Sequence, residues 1–172
     1  MIMKARMMRR MAMAVVMILS TALLFAQEKG EMGAGVNFSY GTKSGFSNFG
    51  IGAKFQYNIL DNLRIEPSAT YYLKKDYISM WDINANVHYL FGLGDSFRLY
   101  PLAGVTLLGV KASYDMGDYG EASASDSKFG FNLGGGAEYL LTPKFALNLE
   151  IRYQIVSDWN RPVFSLGAAY KF

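Results

Sequence analysis

The chain closes on Pro162-Val163-Phe164-Ser165-Leu166-Gly167-Ala168-Ala169-Tyr170-Lys171-Phe172. Side chains of an extended strand alternate between its two faces. Phe164, Leu166, Ala168, Tyr170 and Phe172 therefore share one face, and Val163, Ser165, Gly167, Ala169 and Lys171 share the other. The first face is apolar and ends in aromatics; the second is small, polar or cationic. A soluble sheet would turn the first face inward. Whether that happens here depends on the rule the other strands follow.

Working back along the chain, the same alternation recurs. Val36, Phe38 and Tyr40 oppose Gly35, Asn37 and Ser39, and Ile51, Ala53, Phe55 and Tyr57 oppose Gly52, Lys54, Gln56 and Asn58. Ile65, Ala69 and Tyr71 oppose Arg64, Glu66, Ser68 and Thr70; Pro67 lacks a donor, so a bulge or a locally unpaired site is expected there. Trp81, Ile83, Ala85, Val87 and Tyr89 oppose Asp82, Asn84, Asn86 and His88. Phe131, Leu133, Ala137 and Tyr139 oppose Asn132, Gly134, Gly136 and Glu138, and Leu149, Ile151 and Tyr153 oppose Glu150, Arg152 and Gln154. Phe97–Ala112 is apolar on both faces, which leaves its phase open, though the spacing requires a strand there. Segments 41–47, 74–79 and 113–127 read as polar loops, the last the longest, with short turns at 60–62, 92–96 and 142–143.

The count is eight strands, all in one phase where the phase can be read. About ten residues per span, apolar on one side and polar on the other, with alternating short and longer connections, is the pattern of a transmembrane β-barrel. Trp81, Tyr71, Phe49, Phe164 and Tyr153 would ring one membrane interface. Tyr57, Tyr89, Phe91, Tyr139, Phe145, Tyr170 and Phe172 would ring the other. Burying the apolar faces instead, as in a soluble sandwich or lipocalin-like barrel, is self-consistent strand by strand. The aromatic ends, the terminal Phe and the first segment decide for the membrane.

That first segment, residues 1–26, is set apart. Lys4, Arg6, Arg9 and Arg10 precede an apolar run from Met11 to Phe25, and Ala26-Gln27 offers a cleavage point, with cleavage after Ala22 as an alternative. This is the layout of a secretory signal peptide, too short for a spanning helix. The expected organisation is a signal peptide over 1–26 and one barrel domain over 27–172. The whole chain holds 17 basic and 14 acidic residues, net +3. Without the leader the balance is 13 basic to 14 acidic, net −1, so the excess charge implies no nucleic-acid partner. There is no Cys, hence no disulfide and no thiolate metal site.

Gly134-Gly135-Gly136-Ala137-Glu138-Tyr139, Leu149-Glu150-Ile151-Arg152-Tyr153 and the closing Tyr170-Lys171-Phe172 together resemble small outer-membrane barrels of the OmpA/OmpX type. The resemblance implies integration in the outer membrane beside lipid and lipopolysaccharide. It also implies that Tyr170 and Phe172 form a signal for the barrel-assembly machinery. Unlike full-length OmpA proteins, the chain is expected to carry no peptidoglycan-binding domain after the barrel.

An eight-stranded barrel is filled by its own side chains. The inward set contains Lys54, Arg64, Arg152 and Lys171 against Glu66, Asp82, Glu138 and Glu150. Unpaired charges in so narrow a space are strongly disfavoured, so this balance predicts a paired, closing network. A selective pore would favour one sign of charge. His88, set opposite Arg64, is expected to join the network as a neutral hydrogen-bonding group. A lipid A-modifying enzyme would need a His-Ser-acid set at the lipid face, whereas His88 points inward with no Ser close on the adjacent strand. Asp115, Asp118, Glu121 and Asp126 follow no calcium-loop spacing. The expectation is a monomeric, non-enzymatic barrel without metal or cofactor, structural or surface-interacting in role, with a small channel as the alternative.

Overall fold

The computed structural model describes residues 29–115 and 121–172. The expected signal peptide lies outside them. Nine strands follow in order: β1 (Met32–Lys43), β2 (Phe46–Leu60), β3 (Leu63–Lys75), β4 (Ile78–Tyr89), β5 (Phe91–Gly92), β6 (Phe97–Asp115), β7 (Glu121–Thr142), β8 (Phe145–Val156) and β9 (Arg161–Lys171). β5 is a two-residue continuation of β4 along the edge of β6. The other eight form a closed antiparallel ring: each long strand pairs with the next, β4 pairs with β6, and β1 pairs with β9 from Gly33↔Lys171 to Gly41↔Val163.

Ring closure explains the alternation. Phe38, Phe49, Leu133, Leu149 and Leu166 are all more than half exposed on the outer wall. Asn37, Gln56, Thr70, Asn84, Asn132 and Gln154 are buried within. The two faces are thus reversed relative to a soluble protein. The fifth long strand, β6, takes the phase its sequence withheld: Tyr100, Leu102, Thr106 and Leu108 point inward, and Leu99, Val105 and Leu107 outward.

All three expected polar loops are corrected. The 41–47 segment is strand apart from Ser44-Gly45, and 74–79 is strand apart from Asp76-Tyr77. All four turn residues have positive φ, the backbone that joins antiparallel strands through two residues. The 113–127 segment is also largely strand: β6 runs to Asp115 and β7 starts at Glu121. Polar side chains marked these stretches as loops, but ladder hydrogen bonds come from the backbone and tolerate them. At Pro67 the β2–β3 ladder skips Phe55 and Gln56, resuming at Tyr57↔Ile65 in the register of Lys54↔Ser68. The site is unpaired, without a bulge.

Candidate functional site: the lumen

Nearest the termini, Lys171 Nζ lies 3.1 Å from Glu31 Oε2, which also accepts from Asn58 at 3.0 Å. Above them Glu138 is gripped from both sides, by Arg64 at 2.8 Å and Arg98 at 3.0 Å. Leu90, Tyr100 and Leu102 fill the adjoining wall. The His88 ring stacks on Tyr100, with centroids 4.5 Å apart and planes within 10°. Tyr100 has room to lie there because its neighbour across the ladder is Gly136, where any Cβ would meet the phenol.

At mid-height Lys54 Nζ donates to Asn148 at 2.7 Å and lies 3.5 Å from Glu66, whose other partner is Gln56 at 2.7 Å. Arg152 reaches Glu150 at 2.9 Å. Arg64 Nη2 is 3.2 Å from His88 Nδ1. A guanidinium can only donate, so Nδ1 accepts. In the neutral ring the hydrogen then sits on Nε2, facing Glu150 Oε2 at 4.0 Å. Higher still, Asp82 accepts from Tyr72 at 2.9 Å and Gln154 at 3.0 Å, with Arg161 at 3.5 Å and Arg152 at 3.7 Å. Tyr72, Met80, Leu108 and Val156 then close this end as an apolar cap, with Phe46, Ile78, Val110 and Trp159 packed against it.

Lys54, Arg64, Glu66, Asp82, His88, Glu138, Glu150, Arg152 and Lys171 are all buried in this column. Tyr170 and Phe172 stand on the outer wall, 50% and 65% exposed. Three charged members escaped the sequence reading. Arg161, just ahead of the quoted closing stretch, opens β9 and is buried; the alternation extended back from Val163 puts it on the inward face. Arg98 lies on the strand whose phase was unreadable. Glu31 sits just before β1. Among the described residues, the expected four-to-four balance becomes six basic to five acidic groups.

Glu66, His88 and Glu150 bring donor atoms within 4.8 Å of one another, a spacing that could hold a metal ion. Each already faces a cation: Lys54, Arg64 and Arg152 respectively. A divalent ion would add charge to an already cationic column, so the donor set suits ion pairing better than metal binding. The void among Asn37, Lys54, Glu66, Asn148, Glu150 and Arg152 measures about 10 Å³, at the lower limit for one water molecule.

Residues 11–172 match the family described as outer membrane protein beta-barrel domain. The chain belongs to that family. This barrel is therefore an integral protein of the outer membrane. The turns at 61–62 and 143–144 lie at one mouth, and the longer β6–β7 hairpin rises at the other, the end that faces outward in such barrels. No curated relative matches it. Among solved structures it is similar to Ail, the attachment invasion locus protein of Yersinia pestis, at 20% identity and a TM-score of 0.61, covering 84% of this chain and 100% of that one. Neisserial surface protein A is similar at 20% identity and 0.65, covering 83% and 96%. The N-terminal barrel domain of Pseudomonas aeruginosa OprF is similar at 18% and 0.62, covering 84% and 100%. At these identities the likeness is one of fold.

Proposed function

We propose that this outer-membrane barrel is sealed and non-conducting, and that its role is structural and surface-interacting rather than transport or catalysis. The observation that carries this reading is the lumen: buried charges meet one another, the void among the mid-lumen charges is about 10 Å³, and an apolar cap closes the outer end. A hydrated ion needs a continuous wet path, and each charge it displaced from a partner would be left buried and alone. His88 is wholly buried, away from the lipid face where a lipid A-modifying site would need it. The barrel stands as a monomer in lipid and lipopolysaccharide, delivered by the assembly machinery through Tyr170 and Phe172, and meets its partners at the outer end.

Planar-bilayer recording tests the reading. The purified barrel is expected to give no discrete conductance steps. Reproducible steps would overturn the sealed lumen and favour a small-solute channel. Expression is also expected to leave the mass of lipid A unchanged.

A further inference from the structure

On β2 and β3 the outward side chains shrink midway along the span. Ala53 and Ala69 face each other directly across the ladder, below the bulkier pair Ile51↔Tyr71. Val36 stands beside Ala53 on β1, and Ile83 beside Ala69 on β4. Large neighbours around an alanine floor make a groove in the outer wall. It consists of two adjoining hollows that share Ala53, Ala69 and Ile83. One, of about 520 Å³, extends toward Tyr71 and Trp81; the other, of about 410 Å³, extends toward Phe55 and Pro67. Both are lined almost wholly by apolar atoms.

Two aromatic rings that could close the groove are turned off it. The Trp81 indole lies across Gly109 on the far side of β4, where the missing Cβ makes room for it. The Phe55 ring leans toward Phe172, with centroids 6.5 Å apart. Ala53 and Ala69 consequently stay exposed to the membrane.

The length of the groove selects its occupant. From Tyr71 to Pro67 is four residues of strand, about 13 Å, against an apolar band about 25 Å tall. The groove thus starts at the outer aromatic ring and ends near the mid-plane, below which Tyr57, Ile65 and Val87 restore a bulky wall. A strand or helix of another protein crosses the whole band and would be held off by that lower half. A second copy in the same membrane would bring groove against groove at the same depth, and neither would be filled. A hydrocarbon chain anchored at the outer interface reaches the mid-plane and no further.

We infer that the β2–β3 groove seats one straight acyl chain of an outer-leaflet lipid, with its ester end beside Tyr71 and Trp81 and its methyl end at Pro67. This goes beyond the sealed-lumen reading and requires only that the barrel stands in the membrane. Surrounding lipid is as apolar as the groove, so selection comes from shape and dispersion contact. A saturated chain lies along the straight Ala53–Ala69 floor, whereas a cis double bond bends the chain out of it. The phenol and indole present their polar tips to the lipid at the interface.

The test reads the fluorescence of Trp81 after the other tryptophan, Trp159, is replaced by Phe. The full barrel is placed in fluid vesicles of phosphatidylcholine brominated on its acyl chains, which quenches tryptophan on contact. Replacing about 10 mol% of that lipid with dimyristoyl phosphatidylcholine relieves about a tenth of the quenching if contact is unselective, and about half if the site prefers the straight chain tenfold. Relief of about half is expected. With dioleoyl phosphatidylcholine as competitor, or with the floor filled by Ala69→Leu, relief is expected to fall to about a tenth. Ala53→Leu fills the same floor from β2 and serves if the first variant does not fold. A barrel carrying Trp81→Phe and Leu149→Trp, which moves the reporter to the opposite wall, is also expected to give about a tenth.

Relief in proportion to mole fraction at Trp81 would overturn the inference, as would equal relief at Leu149→Trp or in a folded variant with the filled floor. Unquenched Trp81 in brominated lipid would mean that protein covers the groove, and would overturn it too. Conductance is a separate readout. A conducting barrel with selective relief overturns the sealed lumen alone, and a silent barrel with proportionate relief overturns this inference alone.

Discussion

Lys54 and Glu66 share a buried compartment in which neither can be solvated if its partner is lost. Glu66→Gln leaves Lys54 with only the Asn148 carbonyl at 2.7 Å and Arg64 with one fewer nearby anion. The expected loss is about 1–4 kcal/mol in a reversible unfolding titration. Lys54→Met with Glu66→Gln should cost less than the two single changes together. Strict additivity would show that the pair does not interact. A second residue-scale expectation concerns Gly109, which pairs with Trp81 across the β4–β6 ladder. A methyl group there would overlap the indole lying across it. Gly109→Ala is therefore expected to displace Trp81, shift its fluorescence and cost about 1–3 kcal/mol. The inward position of Lys54, Glu66 and Asp82 was legible because period two in a closed sheet leaves each residue one choice of face. Which charge grips which was not, since partners such as Arg64 and Glu138 come from opposite sides of the ring.

The strands were legible wherever one face was polar, and β6 was not, because Leu102 and Leu108 belong to the patches that line and cap the lumen while their neighbours face lipid. Apolar filling at the two ends of the lumen erases the contrast on which periodicity depends. At this scale the outer turns carry a pH expectation. Asp158, in the β8–β9 connection, has its pKa lowered, first by the hydrogen bond from Lys128 and then by that ammonium's charge. The contact is complete above the ordinary aspartate range and is lost as pH falls through the lowered value. In a carbon-detected NMR titration, Lys128→Met should move the Asp158 midpoint upward; an unmoved midpoint would exclude the contact in solution. β9 carries a second expectation. Deleting Phe172 should lower assembly into the membrane far more than deleting a residue from an outer turn, measured as folded yield in membrane fractions. Equal yields would dismiss the terminal aromatic as a signal.

For the whole molecule, closure leaves the membrane-spanning wall without a free edge at which to unravel. Unboiled protein is expected to migrate differently from boiled protein in detergent gels, and identical migration would argue against the closed ring. The seam that closes it has a kinetic consequence. β1 and β9 are the first and last strands, so residues 33–41 meet residues 163–171 only after everything between them has been exported. Joining chain ends roughly 130 residues apart costs about 4 kcal/mol in lost chain freedom before any seam hydrogen bond forms. Until then both end strands lie bare in the membrane, and the partly built sheet has two reactive margins. Assembly should therefore show a long lag governed by seam formation, and changes confined to the β1–β9 pairing should slow folding more than equal changes at any neighbouring hairpin.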